Sequence, residues 1–445
     1  MSRFFLCFHR YLFSGLWILF AISFVQPAQA QRLKVKLGDL SLKRYPIAVP
    51  DFKGDGRVAQ KTVAILRKSL DLCGAFRVLS PASYLERAPR DGFDPNSFDF
   101  EPWKSVGAEG ILKGNVMAIG SSYRLQFRFY EVGTQKLALQ QDYIASNDSQ
   151  VRWYTHLFAD HLYKFMTGEP GIFASKVSFI RNNRGKQEVW LMDVDGQAMQ
   201  RLTNNGSINA LPAWSPNGRY IAYTSWKERN PDIFVHDINT GKAQKISSFQ
   251  GLNTGATWSP DSQRIAFSAS RGTDNMNIYI VNADGSGLQQ LTQAKWGERN
   301  LSPSWSADGK QITFVSTRFA SPQIFVMNVD GSGARRVSMQ GNYNQAPKWS
   351  PRGDWILFTG RDERNVFDLF LVSPTDGQVK RLTQNQGSNI EATWSPNGRN
   401  IIFVSTRNGV AKLFIMTHEG KHQRQITFQP GQYLTPSWSP RLSKD

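Results

Sequence analysis

The sequence contains little cysteine, which limits the chemistry available to it. Only Cys7 and Cys73 occur among 445 residues. Cys7 lies in a segment that we expect to be removed, so Cys73 would remain alone and could form no intramolecular disulfide. No catalytic arrangement surrounds Cys73 in the sequence, so we expect it to act as a small buried hydrophobic residue.

Long hydrophobic runs are also absent beyond the first thirty residues. The apolar run Tyr11–Val25 has fifteen residues, follows Arg3 and Arg10, and precedes small residues that end at Ala30. A spanning helix needs about 20 apolar residues. The pattern therefore predicts a signal peptide over 1–30, cleaved after Ala30, and an exported mature chain without a transmembrane segment.

The sequence is poor in acidic residues, and its formal net charge is +18. Such a charge can indicate nucleic acid or an anionic membrane surface as a partner. The basic residues are scattered in runs of at most two, which favours a solvated basic surface. We expect no nucleic-acid partner, whereas weak attraction to anionic membranes stays open.

Catalytic motifs are missing as well. The pentapeptide Gly-x-Ser-x-Gly, which holds the nucleophile of α/β-hydrolases, does not occur. His156 and His161 are five residues apart and do not share a helix face, while Asp193 and Asp195 lack the other ligands of a calcium loop. We therefore expect a protein without enzymatic activity, metal or cofactor. The alternatives are a ligand-binding propeller and a relative of propeller-containing peptidases.

A repeat dominates the C-terminal two-thirds of the chain. Its copies contain the motif Trp-Ser-Pro-Asp-Gly or a close variant, followed by alternating apolar residues. The repeated tryptophans are Trp214, Trp258, Trp305, Trp349, Trp394 and Trp438, spaced by 44, 47, 44, 45 and 44 residues. A period of about 40–50 residues with turn signals indicates the blades of a β-propeller. We expect these tryptophans to pack between blades.

The ends of the repeat region predict how the ring closes. Each complete unit reads as four strands, a to d; the first has strand b at Tyr220–Thr224, strand c at Ile233–Ile238 and strand d at Ala243–Ser247. The segment Val177–Thr203 has equivalents of strands b, c and d, and the copy at Trp438 supplies only strand a. The sequence thus predicts a six-bladed propeller over 172–445 whose last blade combines both ends.

The preceding segment, 31–168, carries no repeat. Apolar periodicity and turn residues predict a small α/β domain in which strands alternate with helices. The predicted strands are Pro46–Phe52, Phe76–Leu79, Ile111–Ile119, Tyr123–Glu131 and Leu137–Ile144, and the predicted helices are Gly56–Gly74 and Trp153–Met166. Gly168 follows the second helix at the position where helices often end.

Two stretches of this sequence resemble the TolB family. One is HLFADHLYKFMTGEPGIF, which begins at His156 and leads into the propeller; the other is SLDLCGAFRVLSP, which begins at Ser69. The family usually has serine where Cys73 stands, with no functional consequence that we expect. The resemblance covers the whole mature chain in the same order. It implies a periplasmic protein of the Tol–Pal system, which links both membranes, maintains outer-membrane integrity and acts in cell division.

The same resemblance implies two protein partners for a chain that we expect to be a monomer. TolB-like proteins bind the lipoprotein Pal through the propeller and TolA through the N-terminal side. We place TolA at the alternating basic and apolar residues Arg32, Leu33, Lys34, Val35 and Lys36. We place Pal at six loops that lead into strands a. The residues proposed there are Asn209, Asn253, Thr254, Asn300, Leu301, Asn344, Gln345, Asn389, Ile390, Tyr433 and Leu434.

Overall fold

The computed structural model describes residues 44–85, 92–94, 96–183 and 185–443. The predicted signal peptide and the predicted TolA-binding residues, Arg32 to Lys36, lie outside the described residues. Cleavage after Ala30 therefore stays a prediction. The fold class itself is confirmed, because an α/β region precedes a six-bladed propeller.

The N-terminal region consists of a mixed sheet covered by two long helices. Its strands are β1 (Tyr45–Ala48), β2 (Lys53–Gly54), β3 (Phe76–Val78), β4 (Gly110–Ile119), β5 (Ser122–Glu131) and β6 (Lys136–Ala145). Its helices are α1 (Gly56–Leu72), α2 (Glu101–Ser105) and α3 (Asp148–Thr167), with a 3-10 turn at Pro81–Ser83. The sheet order is β3-β1-β4-β5-β6, and β2 pairs with β4.

Local chemistry sets the bounds of these elements. Asp55 accepts a hydrogen bond from Val58 N at 2.9 Å and so starts α1. Asn147 caps α3 in the same way, which is why this helix begins five residues before the predicted Trp153. The predicted strand Pro46–Phe52 is wrong beyond Ala48. Pro50 has no N–H to donate, and Val49 N donates to the hydroxyl of Tyr84 instead of a strand.

The ring contains six four-stranded blades. Blade 1 is β10 (Asn209–Trp214), β11 (Tyr220–Glu228), β12 (Asn230–Asp237) and β13 (Ala243–Ser247); blade 2 is β14 (Asn253–Trp258), β15 (Arg264–Ala269), β16 (Asn277–Asn282) and β17 (Gln289–Gln290). Blade 3 is β18 (Asn300–Trp305), β19 (Gln311–Ser316), β20 (Gln323–Asn328) and β21 (Arg335–Arg336). Blade 4 is β22 (Asn344–Trp349), β23 (Ile356–Arg361), β24 (Phe367–Val372) and β25 (Val379–Arg381). Blade 5 is β26 (Asn389–Trp394), β27 (Asn400–Ser405), β28 (Lys412–Thr417) and β29 (Arg424–Gln425).

Blade 6 joins the two ends of the ring, as the sequence predicts. Its strands are β30 (Gln432–Trp438), β7 (Lys176–Asn183), β8 (Lys186–Asp193) and β9 (Gln200–Arg201), in that order across the sheet. Leu434 lies opposite Ile180, and Trp438 lies opposite Val177. This pairing leaves no open sheet edge between the first and last strands of the ring.

The six repeated tryptophans are buried, which confirms their predicted packing role. Three of them also connect consecutive blades. The indole Nε1 of Trp258 donates to Ala213 O at 3.1 Å, and Trp305 and Trp394 donate in the same manner to the first strand of the preceding blade. We call the first strand in the order of each blade its inner strand. The repeat thus supplies both apolar filling and a hydrogen bond at the blade junctions.

The N-terminal region packs against the ring within one compact unit. The predicted boundary between 168 and 172 lies inside this unit and stays a prediction. Asp160 of α3 is buried and accepts hydrogen bonds from Phe173 N at 2.7 Å and from Arg441 Nε at 2.9 Å. These contacts tie α3 to the segment that leads into the ring and to its last described residues. In the described part of the chain, no helix is long and apolar enough to cross a membrane.

Candidate functional site

The two ends of the ring differ in what covers them. We call the end where the inner strands begin the loop face, and the end where they finish at the repeated tryptophans the turn face. Glu169 binds Arg352 and Arg399, which follow inner strands β22 and β26 on the turn face. The amide of Asn397 in the same turns donates to Pro170 O at 2.9 Å. The N-terminal region therefore contacts the turn face.

The predicted asparagine ring on the loop face needs correction. The asparagines are not loop residues; each is the first residue of an inner strand, and their side chains are almost completely buried. Tyr433, which replaces asparagine in blade 6, is buried as well. The residues concerned are Asn209, Asn253, Asn300, Asn344, Asn389 and Tyr433. These buried side chains form no exposed rim on the loop face, and most of them serve the ring itself; Asn344 also lines a cavity of blade 4.

Most of these asparagines bind the third strand of the preceding blade. Asn389 Nδ2 donates to Asp368 Oδ1 at 2.9 Å, and Asn344 Nδ2 donates to Gln323 Oε1 at 2.9 Å. At the junction of blades 5 and 6, both residues of this pair are different. Lys412 stands where Asp368 stands in blade 4, and its ammonium lies 4.9 Å from the ring of Tyr433. A cation over an aromatic ring thus replaces the amide–carboxylate pair.

The residue that follows each of these asparagines, or Tyr433 in blade 6, is partly exposed, so this half of the placement of Pal stays a prediction. Leu301, Ile390 and Leu434 nevertheless pack against hydrophobic clusters of the ring. Thr254 accepts a hydrogen bond from Thr224 Oγ1 at 3.2 Å. Gln345 is likewise half-buried. Substitutions at these positions would disturb packing as well as any docking contact.

Exposed apolar side chains of the loop face escaped the sequence analysis. Trp296 is 88% exposed and Met339 is 68% exposed, both in connections between blades, and Phe319 is 60% exposed after strand β19. The available signal was a tryptophan outside the repeated motif. Large exposed apolar residues on one face are typical of protein-binding surfaces.

The loop face also carries cations. In four blades, the asparagine that begins the inner strand pairs with a residue near the end of the second strand. A basic residue follows two positions after that paired residue. These cations are Lys227, Arg271, Arg318 and Arg407, at 3.9, 4.8, 4.6 and 4.3 Å from the ring centroids of Phe234, Phe249, Phe325 and Phe414. The loop face thus combines apolar side chains with positive charge, which suits a protein partner with acidic groups.

A buried polar cluster joins the N-terminal region to blade 6. His156 of α3 lies with Asp193 and Asp195, and their potential ligand atoms are within 4.8 Å of one another. Arg152 binds both carboxylates, and Lys176 Nζ donates to Asp193 Oδ1 at 2.6 Å. These two cations already neutralise the carboxylates, so the donor set does not fit a metal ion. Nothing in the sequence pattern predicts that these residues associate.

Burial and charge shift the pKa values in this cluster in a consistent manner. Burial lowers the pKa of His156 from 6.5 to about 4, so the imidazole is neutral at pH 7. Burial by itself raises the pKa of Asp193, but the charges of Lys176 and Arg152 hold it below its ordinary value. Asp193 therefore stays ionised and pairs with the cations. The cluster holds α3 against the turn of blade 6.

The fold and these surfaces define a two-region β-propeller protein. Family models for the TolB amino-terminal domain and the TolB beta propeller domain match residues 33–138 and residues 163–368 and 361–444. The Tol-Pal system protein TolB of Myxococcus xanthus (strain DK1622) is 42% identical over 419 residues, covering 93% of this chain and 95% of that protein. TolB of Anaeromyxobacter dehalogenans (strain 2CP-1 / ATCC BAA-258) is 39% identical over 422 residues, covering 94% and 96%.

A solved structure shows the same fold. The crystal structure of TolB from Acinetobacter baumannii superposes with a TM-score of 0.78 at 23% identity, covering 89% of this chain and 97% of that one. The chain belongs to the TolB family of the Tol–Pal system.

Proposed function

We propose that this protein is a periplasmic scaffold without enzymatic activity, which binds Pal through the propeller and TolA through the N-terminal side. In this role it maintains outer-membrane integrity and acts in cell division. Membership of the TolB family supports the Tol–Pal role. The predicted signal peptide supports the periplasmic location.

The loop face supports the placement of Pal. The turn face is partly occupied by the N-terminal region, through Glu169 and the Asp193 cluster. The loop face instead exposes Trp296, Phe319 and Met339 and carries the cations of four blades. Exposed aromatic and methionine side chains beside arginine are enriched in protein interfaces.

Binding of the purified periplasmic domain of Pal tests this placement. We expect Trp296→Ala and Met339→Ala each to weaken binding by about tenfold, because a few large side chains carry much of the binding energy of an interface. Ile144→Ala removes an exposed apolar side chain from the N-terminal region and is the matched control. Unchanged binding by both loop-face variants would place the Pal site elsewhere. We expect charged replacements of Thr254 and Leu301 to weaken Pal binding as well. Because these side chains also contact the ring, the melting curves of these variants must be compared with that of the wild type.

The N-terminal segment is the proposed TolA site. Residues Arg32 to Lys36 alternate basic and apolar side chains, which suits an extended segment added to a sheet edge. Deletion of Gln31–Lys36 should reduce capture of TolA while Pal binding and the melting temperature of the propeller stay unchanged. Normal capture of TolA by the truncated protein would refute this assignment. N-terminal sequencing of the exported protein should begin at Gln31.

A further inference from the structure

Blade 4 contains a cavity on the loop face that measures about 430 Å³. The aromatic rings of Phe358 and Phe370 line it, together with Asn344, Gly360 and Asp362. These residues belong to the first three strands of the blade and the loop after its second strand. The cavity opens beside the surface that we assign to Pal.

The corresponding space in blades 3 and 5 is occupied by an arginine of the protein itself. In blade 5, Arg407 Nε donates to Ser405 Oγ at 2.9 Å, and Arg407 Nη2 donates to Asn389 Oδ1 at 3.1 Å. Its guanidinium lies 4.3 Å from the ring centroid of Phe414. Blade 3 repeats this arrangement, with the guanidinium of Arg318 at 4.6 Å from Phe325.

Two substitutions remove this arginine from blade 4. Asn344 pairs with Gly360 where Asn389 pairs with Ser405, and Asp362 follows two residues later at the position of Arg407. The carboxylate of Asp362 turns to Arg364 and to Arg381. The ring of Phe370 is consequently half-buried, whereas its equivalents Phe325 and Phe414 are 2% and 4% exposed.

The polar groups that the arginine would satisfy are left without partners. Asn344 Oδ1 accepts no hydrogen bond from any described residue, although its amide nitrogen donates to Gln323 and to Gln340 O. Glu363 at the cavity has no ion pair within the described part of the chain. Arg361 also lines the cavity, with its guanidinium 5.0 Å from the ring of Tyr343 and a buried Nε that has no hydrogen-bond partner.

We propose that this cavity binds an arginine side chain of the protein docked on the loop face. The guanidinium stacks on Phe370 and donates to Asn344 Oδ1, as Arg407 stacks on Phe414 and donates to Asn389 Oδ1 in blade 5. It also faces the carboxylate of Glu363. Arg381, whose guanidinium lies 5.5 Å from the centroid of Phe370, is held by Asp362 and Asp368. The carboxylates of Asp362 and Asp368 are already paired with Arg364 and Arg381, which leaves Glu363 to pair with the incoming cation. This inference rests on the proposed function, because the occupant belongs to the docked partner.

The first test uses saturation-transfer NMR to measure the binding of N-acetyl-arginine methylamide, the probe, to the full mature protein. We expect a signal from the arginine probe and a much weaker one from N-acetyl-citrulline methylamide, which has the same shape without the charge. The absence of binding, equal signals from both probes, or a stronger signal from N-acetyl-glutamate methylamide would each overturn the proposal.

Two variants test the location of the site. Asp362→Arg restores the residue found in blades 3 and 5, fills the cavity from within and should abolish the probe signal. Because Asp362 accepts hydrogen bonds from the backbone of its own loop, this variant could lose stability. Glu363→Gln changes only an exposed side chain and should weaken binding by about threefold, as expected for a partly exposed ion pair. Asp274→Asn, in the corresponding loop of blade 2, is the matched control and should have no effect.

Binding of Pal separates this inference from the proposed function. A wild-type protein that fails to bind Pal would refute the assignment of Pal, and the arginine probe would still report on the cavity. If Pal binds the wild type and a folded Asp362→Arg variant equally well, the arginine site is refuted while the Pal assignment stands.

Discussion

The amide of Asn389 in blade 5 donates a hydrogen bond of 2.9 Å to the carboxylate of Asp368 in blade 4. Both side chains are completely buried. Asp368 also accepts from Thr383 Oγ1 at 2.7 Å and pairs with Arg381. One buried carboxylate thus connects the inner strand of one blade to the third strand and the outer end of its neighbour.

Asn389→Ala should destabilise the protein by about 1–3 kcal/mol, because it leaves a buried carboxylate short of one donor. The measurement is the free energy of unfolding from urea denaturation, with circular dichroism as the signal. Asn300→Ala provides a matched control. The Asn300 amide nitrogen donates to no described side chain, and its oxygen only accepts from Arg318 at 3.5 Å. Equal losses in the two variants would show that the hydrogen bond to Asp368 contributes nothing special.

The sequence revealed the asparagines but not their role. Their fixed distance from the tryptophans was visible, and asparagine is common in loops, so an exposed rim was the natural prediction. The partner side chains lie about 20 positions earlier and are chemically varied: Glu188, Asp232 and Asp368 are acids, Gln323 is an amide and Lys412 is a cation. Only the pairing of strands across a blade junction reveals that these residues meet.

Deletion of residues 433–445 should abolish cooperative unfolding or cause aggregation. It removes strand β30, exposes the edge of β7 and eliminates the hydrogen bond of 2.8 Å from Trp438 Nε1 to Ser175 Oγ. Thermal unfolding and size-exclusion chromatography measure the effect. Arg441→Ala, which removes only the contact with Asp160, should still unfold cooperatively at a lower temperature. A truncated monomer with the wild-type melting curve would contradict the observed closure.

Acid should destabilise the protein through His156. The folded-state pKa of about 4 lies below the ordinary value of 6.5, so the unfolded chain binds more protons between these values. The contribution of His156 to the free energy of unfolding is therefore fully present above pH 6.5. It falls as the pH drops towards 4, by about 3 kcal/mol at most. The lowered pKa of Asp193 acts in the same direction at still lower pH. Urea denaturation at intervals from pH 7 to pH 4 measures this decline.

A His156→Gln variant separates this contribution from the rest. Glutamine cannot be protonated in this range, so its loss of stability between pH 6.5 and 4 should be smaller than that of the wild type. The comparison uses the difference between the two pH values within each protein, which cancels the constant effect of the substitution on packing. Parallel pH profiles for the two proteins would show that another group controls the acid sensitivity.

The repeat made the ring predictable, whereas contacts between the two regions were not. Trp-Ser-Pro motifs specify the turns and the blade period locally, and the fragments at both ends indicate closure. His156 and Asp193 are 37 positions apart, with nothing in their local patterns that links them. The missing arginine of blade 4 was visible as Gly360 and Asp362 within an otherwise regular repeat. The cavity that this change leaves could not be predicted, because residue spacing does not show that the side chain of Arg407 stacks on Phe414 in blade 5.

Gly171 is required at the junction between the two regions because of close packing. A Cβ atom at this position would lie 2.1 Å from Asp160 Oδ1 and 2.6 Å from Asp160 Cα. Gly171→Ala should therefore displace Asp160, weaken its hydrogen bond to Phe173 N and destabilise the protein by about 1–3 kcal/mol. Gly133→Ala is the control, since no atom lies within 4 Å of the added Cβ and the change should stay within about 0.5 kcal/mol. Thermal and urea unfolding of both variants decide the matter. Equal stability of the two variants would mean that the junction relaxes without cost, and Asp160 would then not hold α3 to the start of the ring.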